Sequence, residues 1–520
     1  MSTLGHRWLA LTLGGVTALA FALRLYHLDF QSFWSDEIFS LELAAPTLVD
    51  SLGRVARDVH PPLYFLALHI WVSLFGTSEF SVRLLSALPS ALVIPLLFRL
   101  GCRLLDVRTG LVAAAICAVS MFQIYYAQEA RSYALMTLLA VLSMDAFTQW
   151  DAKRRAVLPS RGSWLYYVAA TSALLYTHYF GIFVLAVQNL WLIGSWLVAR
   201  RQTGTFARPT GRVAGSFSGL GAWLGAQLAL VVLLLAWLPV LVGQMDLAAG
   251  GFWIEQPTEN ALVRTLMISL SLQPPPWGWP LAWTPWPSLL RNVALLAAVF
   301  ATLAYFLGAT GQSGSRGGSR EGGEAGAGGS GAGISTLASC SLLGLWLALP
   351  ALSALALSAF SINVYTHRNL IASSPALFLL IGAVVTRLPG RVLPAILLAA
   401  ALVPSATLYP WYYGEAHKTQ WREMAAWLGE RAEPGDGFVF DAPVIRRNYD
   451  FYRGASDYHF VDMRALSRQG RKSQRRRIWL VRALQAKGEH RIQEIVEAWG
   501  YGAGSPQRFK DIEVFLYERR

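Results

Sequence analysis

Apolar stretches long enough to cross a lipid bilayer recur along most of the chain, with short polar stretches between them. A helix needs about 20 mostly apolar residues to span the hydrocarbon core. Taken together with the basic loops that separate them, the apolar stretches predict about eleven membrane-spanning helices, at residues 8–25, 84–100, 110–126, 135–150, 164–176, 182–199, 223–242, 291–307, 336–360, 370–385 and 393–409. A further apolar stretch, 63–75, is too short to span and contains His69, so we expect an interfacial or re-entrant helix there.

Basic residues mark one side of the predicted bundle. Arginine and lysine concentrate in the short loops around 99–108, 153–161, 200–212 and 387–391. By the positive-inside rule these loops face the cytoplasm. The amino terminus is then cytoplasmic, and the first long loop, about 26–80, lies outside and carries juxtamembrane helices.

The composition excludes an ordinary soluble protein. Of 520 residues, 54% are hydrophobic and 14% are charged, and the mean hydropathy is +0.40. Because basic residues cluster in the short loops, the net charge of +13 indicates membrane topology and contact with membrane lipids, and we expect no nucleic-acid partner. The three cysteines predict no disulfide framework. We therefore expect a multi-pass protein of the cell inner (plasma) membrane.

Three segments depart from the apolar pattern. Residues 246–287 are rich in proline and tryptophan and suggest an external lid, whereas 311–333 form a glycine- and serine-rich tract that we expect to be a disordered cytoplasmic loop. Residues 410–520 alternate short strand patterns with amphipathic stretches such as 421–431 and 492–499. They predict a small extracytoplasmic α/β domain after a membrane domain at 1–409. The basic run 468–477 is then a solvated face or a patch for anionic lipid.

An acidic pair follows the first predicted span. Asp36 and Glu37 lie in the sequence QSFWSDEIFS, residues 31–40. Ionised carboxylates are costly to bury in an apolar protein, so they must be solvated, meet a cation or carry chemistry. The simplest alternative to a catalytic role is a solvated loop cap.

Other ionisable residues are predicted on the same outer side. They come from five separate segments and are Asp36, Glu37, Asp58, His60, Glu129, Arg131, His178, His367 and Arg368. Carboxylates can deprotonate an incoming hydroxyl, while arginine and histidine can neutralise a phosphate that leaves a sugar. This combination of acids and bases is what a catalytic cleft for a phosphorylated substrate requires.

Four motifs carry a resemblance to a known family. WSDE (34–37), DVHPPLYF (58–65), YYAQEARSYAL (125–135) and YTHYFG (176–181) together resemble bacterial glycosyltransferase family 39. This family belongs to the GT-C class of membrane transferases that use polyprenyl-phosphate sugars, and it is related to protein O-mannosyltransferases and the lipid A aminoarabinose transferase. The resemblance implies a mainly α, GT-C helical bundle. It also implies an enzyme that moves a sugar from a polyprenyl-phosphate donor to a hydroxyl of a glycan, lipid or protein outside the membrane.

The resemblance also implies roles for individual residues. Asp36 matches the catalytic base, with Glu37 as its partner and Glu129 as a second acid. The donor phosphate is expected to bind the basic residues His60, Arg131, His178, His367 and Arg368. The acceptor and sugar pocket is expected to contain Trp34, Asp58, Tyr126, Tyr133 and Tyr365. His60 stands where the aminoarabinose transferase has a lysine, which leaves the donor sugar open.

Several alternatives stay open at this point. Glu129 and Arg131 could form a structural ion pair, and the histidines could be interfacial hydrogen-bonding residues. Asp58 and His60 could bind a divalent cation, although two ligands fall short of a complete coordination set. From other classes, a lipid or lipid-linked-sugar flippase without transferase activity also fits many spans and intramembrane charges, and a sensor would use its tail as the working part.

Overall fold

The computed structural model describes eleven segments of the chain, which are residues 3–44, 46–155, 161–203, 220–249, 254–258, 260–272, 336–454, 459–460, 475–483, 496–497 and 500–519. The predicted span 291–307 and the glycine- and serine-rich tract lie outside the described residues. So do the proline- and tryptophan-rich part of the predicted lid and most of the basic run 468–477 and the stretch 492–499.

Helices dominate the described residues. The chain forms α1 (Thr3–Leu25), α2 (Ser35–Leu43), α3 (Leu48–Ala56), α4 (Leu63–Phe75), α5 (Glu79–Leu104), α6 (Val107–Val119), α7 (Met121–Ala127), α8 (Tyr133–Arg155), α9 (Arg161–Thr177), α10 (Gly181–Thr203), α11 (Leu220–Leu235), α12 (Leu238–Ala249), α13 (Ala261–Ser269), α14 (Thr336–Phe360), α15 (Ser374–Arg387), α16 (Val392–Gly414), α17 (Trp421–Arg431) and α18 (Pro443–Arg453). A short 3-10 turn, Ile371–Ser373, precedes α15. The predicted mainly helical, polytopic membrane fold is confirmed. The short helix predicted at 63–75 has the expected bounds.

Fewer helices pass as membrane spans than the sequence pattern predicts. Among the described residues, five are long and apolar enough, namely Gly5–Leu25, Glu79–Leu104, Gly181–Val198, Thr336–Phe360 and Val392–Gly414. The bent pairs α6 with α7 and α11 with α12 raise this number to at most seven. The predicted number of about eleven therefore includes helices that are too short or too polar to pass by length and composition.

Helix α8 shows why a polar helix can belong to such a bundle. Its Asp145 is fully buried and pairs with Arg99 and, at 2.7 Å, with Arg103. Tyr166 also donates to Asp145, at 3.2 Å. A helix surrounded by protein can keep such residues because each carboxylate finds donors. The partners of Asp145 lie on other helices, and a hydropathy pattern along the sequence cannot show such partners.

A buried arginine stabilises the break between α6 and α7. These helices meet at Ser120 with a bend of 56°. The Arg24 guanidinium, which is fully buried, donates to the Ala118 carbonyl at 2.9 Å, to the Cys117 carbonyl at 3.2 Å and to Ser90 Oγ at 2.7 Å. A helix break leaves carbonyls without helical donors, and these carbonyls must find others away from water. Arg24 therefore fixes the helix that leads into the YYAQEARSY motif.

The chain divides into two compact units. The first contains Met1–Tyr26, Ala44–Leu74 and Arg83–Tyr409, and the second contains His27–Leu43, Phe75–Val82 and Pro410–Arg520. The domain division predicted from the sequence was 1–409 and 410–520. In the structure, two stretches of the first loop cluster with the carboxyl-terminal residues instead.

A mixed sheet forms the centre of the second unit. Its strands are β1 (Gly437–Phe440), β2 (His459–Phe460), β3 (Arg477–Ala483), β4 (Tyr501–Ala503), β5 (Gln507–Phe509) and β6 (Ile512–Arg519). The order is β2-β1-β3-β6-β4, and β5 pairs with β6. Strand β1 is parallel to β2 and β3, whereas β6 is antiparallel to β3, β4 and β5. The predicted small carboxyl-terminal α/β fold is confirmed.

Alternating side chains give this sheet two apolar faces. Phe438, Phe440, Trp479 and Val481 pack in one cluster with the apolar residues of α17 and α18, such as Leu428. Their neighbours along the strands pack in a second cluster that includes Val439, Ile478, Leu480, Phe515 and Tyr517. This alternation follows from the two-residue period of a strand.

The contacts of Arg24 predict its effect on stability. Arg24→Met removes the donors to the carbonyls of Cys117 and Ala118. We therefore expect the free energy of unfolding to fall by on the order of 2 kcal/mol, with a lower midpoint of thermal unfolding in detergent. The control is Arg7→Met, which removes an exposed arginine from the same helix. Equal midpoints for the two variants would contradict the role of Arg24.

Candidate active site

Connections between helices hold the predicted ionisable site residues of the first unit. Asp58 and His60 lie between α3 and α4, Glu129 and Arg131 between α7 and α8, and His178 between α9 and α10. His367 and Arg368 follow α14. Contacts between side chains bring these separate connections together.

Asp58, His60 and Arg131 form a hydrogen-bonded chain. Asp58 Oδ2 lies 2.5 Å from His60 Nδ1, and Arg131 Nη2 lies 3.0 Å from His60 Nε2. A guanidinium can only donate, so His60 Nε2 accepts and Nδ1 carries the proton that is donated to Asp58. Burial alone would raise the pKa of Asp58, but the His60 hydrogen bond and the nearby charge of Arg131 outweigh it and hold that pKa below its usual value. The carboxylate thus orients the imidazole, and the imidazole orients Arg131.

The loop that carries Glu129 and Arg131 is buried and anchored at several points. Glu129 is 2% exposed and Arg131 is 5% exposed. The Gln128 side chain donates to the carbonyls of Arg24 and Tyr26 at 3.0 and 2.9 Å, and Ser86 Oγ donates to the Arg131 carbonyl at 3.2 Å. Both charged side chains therefore start from a fixed backbone.

Aromatic rings surround the basic residues. The Arg368 guanidinium lies 5.9 Å from the Tyr133 ring centre, within the range of a cation–π contact. Tyr133 also lies beside His178, with ring centres 6.0 Å apart, and beside Tyr126, at 5.2 Å. Tyr126 OH is 2.9 Å from His367 Nε2. Residues predicted to bind sugar and residues predicted to bind phosphate are thus direct neighbours.

His178 and His367 are both neutral. Burial, together with the positive charges of Arg131 and Arg368, lowers the pKa of His178 to about 3. Burial and the charge of Arg368 likewise lower the pKa of His367 to about 3. The Phe180 amide donates to His178 Nδ1 at 3.2 Å, so the His178 proton is on Nε2. These imidazoles therefore offer hydrogen bonds, and positive charge comes from the arginines.

Tyr365 has a different setting from the other tyrosines of the predicted pocket. It is 7% exposed and packs with Ala261, Ala354 and Leu370. Its hydroxyl lies 2.8 Å from Thr265 Oγ1 on α13. Its predicted contact with sugar stays a prediction.

Gln244 supports the site and was not predicted from the sequence. Its amide donates to the carbonyls of Val55 and His60 at 2.9 and 3.2 Å and accepts from the Tyr179 hydroxyl. A single amide within an apolar helix is a weak signal in the sequence, because only the three-dimensional structure shows which backbone groups it reaches.

The second unit contains the other predicted residues, Trp34, Asp36 and Glu37. Asp36 and Glu37 lie in the first turn of α2, where the positive end of the helix dipole favours carboxylates. Asp36 is half-buried. Glu37 is fully buried, and its Oε2 lies 3.0 Å from Lys418 Nζ and accepts from the Trp34 amide at 3.2 Å. Of the three possibilities for a carboxylate in this motif, namely solvation, pairing with a cation or a chemical role, the structure shows pairing with a cation for Glu37.

The described residues contain no group of three or more histidine, cysteine or acidic side chains that could hold a metal ion. The Asp58 and His60 pair supplies two such side chains, and in the structure they bond to each other. A divalent cation at this pair therefore stays a prediction.

The apolar helices and the small carboxyl-terminal sheet define a polytopic membrane protein. Comparison with solved structures identifies its fold as GT-C. Residues 59–237, about a third of the chain, match the family model for dolichyl-phosphate-mannose-protein mannosyltransferase. No curated protein matches the chain.

Two solved structures share the fold over almost the whole chain. One is ArnT from Cupriavidus metallidurans in the apo state, with 13% identity, a TM-score of 0.56 and coverage of 99% of this chain and 98% of ArnT. The other is the same protein bound to undecaprenyl phosphate, with 11% identity, a TM-score of 0.55 and coverage of 98% of each chain. The resemblance to polyprenyl-phosphate-dependent GT-C glycosyltransferases indicated by the four motifs is therefore confirmed.

The neutral histidines predict sensitivity to mild acid. The unfolded chain takes up a proton at histidine near pH 6.5 but the folded protein only near 3, so stability falls as the pH drops below about 6.5. We expect the thermal midpoint in detergent to fall between pH 7 and pH 5. In His178→Gln the free energy of unfolding should fall by on the order of 1–2 kcal/mol less over this pH range. The control His6→Gln changes an exposed histidine, and the same pH dependence in all three proteins would contradict the assignment.

Proposed function

We propose that the protein is an integral membrane glycosyltransferase that moves a sugar from a polyprenyl-phosphate donor to an acceptor hydroxyl. The observation that carries the proposal is the chain from Asp58 through His60 to Arg131, in a cluster that also includes Arg368 over Tyr133. The match of residues 59–237 to a glycosyltransferase family supports the reaction class. The acceptor is a glycan, a lipid or a protein.

Arg131 and Arg368 are proposed to bind the donor phosphate. Both side chains are positively charged hydrogen-bond donors, and the planar guanidinium group matches the geometry of a phosphate. His60 orients Arg131, while the Nε2–H of His178 can donate to a phosphate or hydroxyl oxygen. The undecaprenyl phosphate bound to ArnT, which has the same fold, supports a polyprenyl carrier. Glu129 and His367 are proposed as further polar groups of this region.

The proposed reaction is a single displacement with inversion. Asp36 takes the proton of the acceptor hydroxyl, and the acceptor oxygen attacks the anomeric carbon. The bond between that carbon and the phosphate oxygen breaks, and the bonding electrons leave with the polyprenyl phosphate. Asp36 suits the role of base because it is half-buried at a helix start, which leaves part of the side chain accessible.

The reaction is proposed to take place on the outer face of the inner (plasma) membrane. Support comes from the arginine-rich loops, which mark the cytoplasmic side by the positive-inside rule and leave the first loop outside. The amino terminus is then cytoplasmic, and the carboxyl-terminal sheet is extracytoplasmic.

Replacing the proposed base should stop sugar transfer but leave donor binding intact. We expect Asp36→Asn to lower sugar transfer at least about a hundredfold, because the amide cannot accept the proton. Binding of undecaprenyl phosphate should change less than about twofold. The measurement is loss of radiolabelled sugar from the lipid carrier in membranes that contain the variant, offered a panel of polyprenyl-phosphate sugars. Asp29→Asn is the matched control, since Asp29 is exposed in the same loop, and full transfer by Asp36→Asn would refute the role.

Removing the proposed phosphate ligand should weaken donor binding. We expect Arg131→Gln to weaken binding of undecaprenyl phosphate about tenfold, because one charge-assisted contact is lost. The measurement is binding to the purified protein, followed by quenching of tryptophan fluorescence. Arg57→Gln changes the net charge equally at an exposed position and should bind normally. Equal affinities for all three proteins would show that Arg131 does not contact the phosphate.

One experiment also separates transfer from transport. Protein in vesicles is given a radiolabelled lipid-linked sugar on one side. Movement of the intact lipid across the bilayer, with no release of label from the carrier, would identify a flippase and refute the transferase.

A further inference from the structure

Residues just before and within the WSDE motif are held by carboxyl-terminal residues of the second unit. Gln31 Oε1 accepts from the amides of His417 and Lys418 at 2.9 and 2.7 Å. Ser32 Oγ donates to the Thr419 carbonyl at 2.8 Å. The chain that enters α2 is therefore fixed on one side by the segment that follows the last predicted span.

The next residue is fixed by α18. The Phe33 amide donates to the Tyr452 hydroxyl at 2.7 Å, and the Phe33 ring packs edge-on against Phe451 with centres 5.7 Å apart. Phe33 is 1% exposed, so this contact is an interior one. A rigid entry fixes the direction in which the helix begins.

Lys418 holds the first turn of α2 through Glu37. Its Nζ lies 3.0 Å from Glu37 Oε2, and the side chains of the two residues are 7% and 0% exposed. The same carboxylate oxygen accepts from the Trp34 amide, which caps the helix start. Removing one partner of a buried pair leaves the other charge uncompensated, so the pair is a strong constraint on this turn.

Asn448 holds the other side of the same turn. Its Nδ2 donates to Ser35 Oγ at 2.8 Å, and Asn448 is fully buried. Arg447 donates to the Ser35 carbonyl at 3.3 Å and lies over the Phe39 ring at 5.6 Å. The residues on both sides of Asp36, Ser35 and Glu37, are thus each bound by a different carboxyl-terminal segment.

We propose that Lys418 and Asn448 are positioning residues for Asp36, and that the carboxyl-terminal part of the chain serves to set the geometry of proton transfer. The proposal rests on the role of Asp36 as base under the proposed function. Catalytic groups must be held to within a fraction of an ångström, and a misplacement of about 1 Å can cost a hundredfold in rate. Neither residue needs to touch the substrate for this role.

The first test compares variants of Lys418. Lys418→Met removes the cation that holds Glu37, whereas Lys418→Arg keeps it. We expect kcat for sugar transfer to fall about ten- to hundredfold in Lys418→Met, with the KM for the lipid donor within about twofold of wild type. Lys418→Arg should recover at least about a third of the wild-type kcat. The pH profile of kcat should change only in Lys418→Met, because the environment of the base has changed.

The second test approaches the same turn from its other side. Asn448→Ala removes the donor to Ser35, and we expect the same fall in kcat at unchanged donor KM. Arg446→Ala is the matched control on the same helix, because Arg446 forms an ion pair with Asp450 one turn further along α18. A wild-type kcat in folded Asn448→Ala or Lys418→Met would overturn the proposal.

Hydrogen exchange gives a readout that does not depend on activity. In the full-length protein in detergent, amides of residues 34–43 should exchange about tenfold faster in Lys418→Met and Asn448→Ala than in wild type or Arg446→Ala. The exchange rates of the amides in β3 and β6 should be the same in all of these proteins. If wild type transfers no sugar, the proposed function fails while this readout still tests the positioning. Unchanged exchange at 34–43 would overturn the positioning itself.

Discussion

The need to hold buried charges in place determines where the chemistry of this protein can lie. A charge moved into an apolar interior without partners costs several kcal/mol, so it persists only where donors and acceptors surround it. Helix ends supply such groups, because their last carbonyls and first amides have no helical partner. Arg24 at the Ser120 break follows this rule, whereas Asp58 between α3 and α4 is held by the side chain of His60.

This constraint also gives the cluster its electrostatic character. Burial, with the positive charges of Arg131 and Arg368 as a smaller contribution, lowers the pKa of His178 and keeps its imidazole neutral. A neutral imidazole with a fixed tautomer is a directed donor, and a guanidinium oriented by His60 is a directed charge. Groups arranged before a substrate arrives need little reorganisation when it binds.

The sequence predicted the elements whose signals are local. The helix at 63–75, the amphipathic helix at 421–431 and the strands of the tail follow from hydrophobic period and length. The motifs also indicated which connections carry the polar residues. The number of spans was predicted less well, since α8 keeps its polar residues through partners on other helices.

Contacts between residues far apart in the chain cannot be predicted from local sequence patterns. Lys418 and Glu37 are 381 positions apart, and neither residue's neighbourhood contains a signal for the other. The same holds for Gln244 and the His60 carbonyl. The assignment of residues 27–43 to the unit that contains the sheet depends on contacts of this kind.

The two adjacent carboxylates of the WSDE motif have different surroundings. Successive residues on a helix point about 100° apart, so Asp36 and Glu37 cannot face the same surroundings. Glu37 is fully buried and reaches both Lys418 and the Trp34 amide, whereas Asp36 stays half-buried. A side chain engaged in an ion pair and a helix cap is poorly suited to accept a proton, because protonation would break both contacts. Helix geometry therefore separates a paired, fully buried glutamate from a half-buried aspartate.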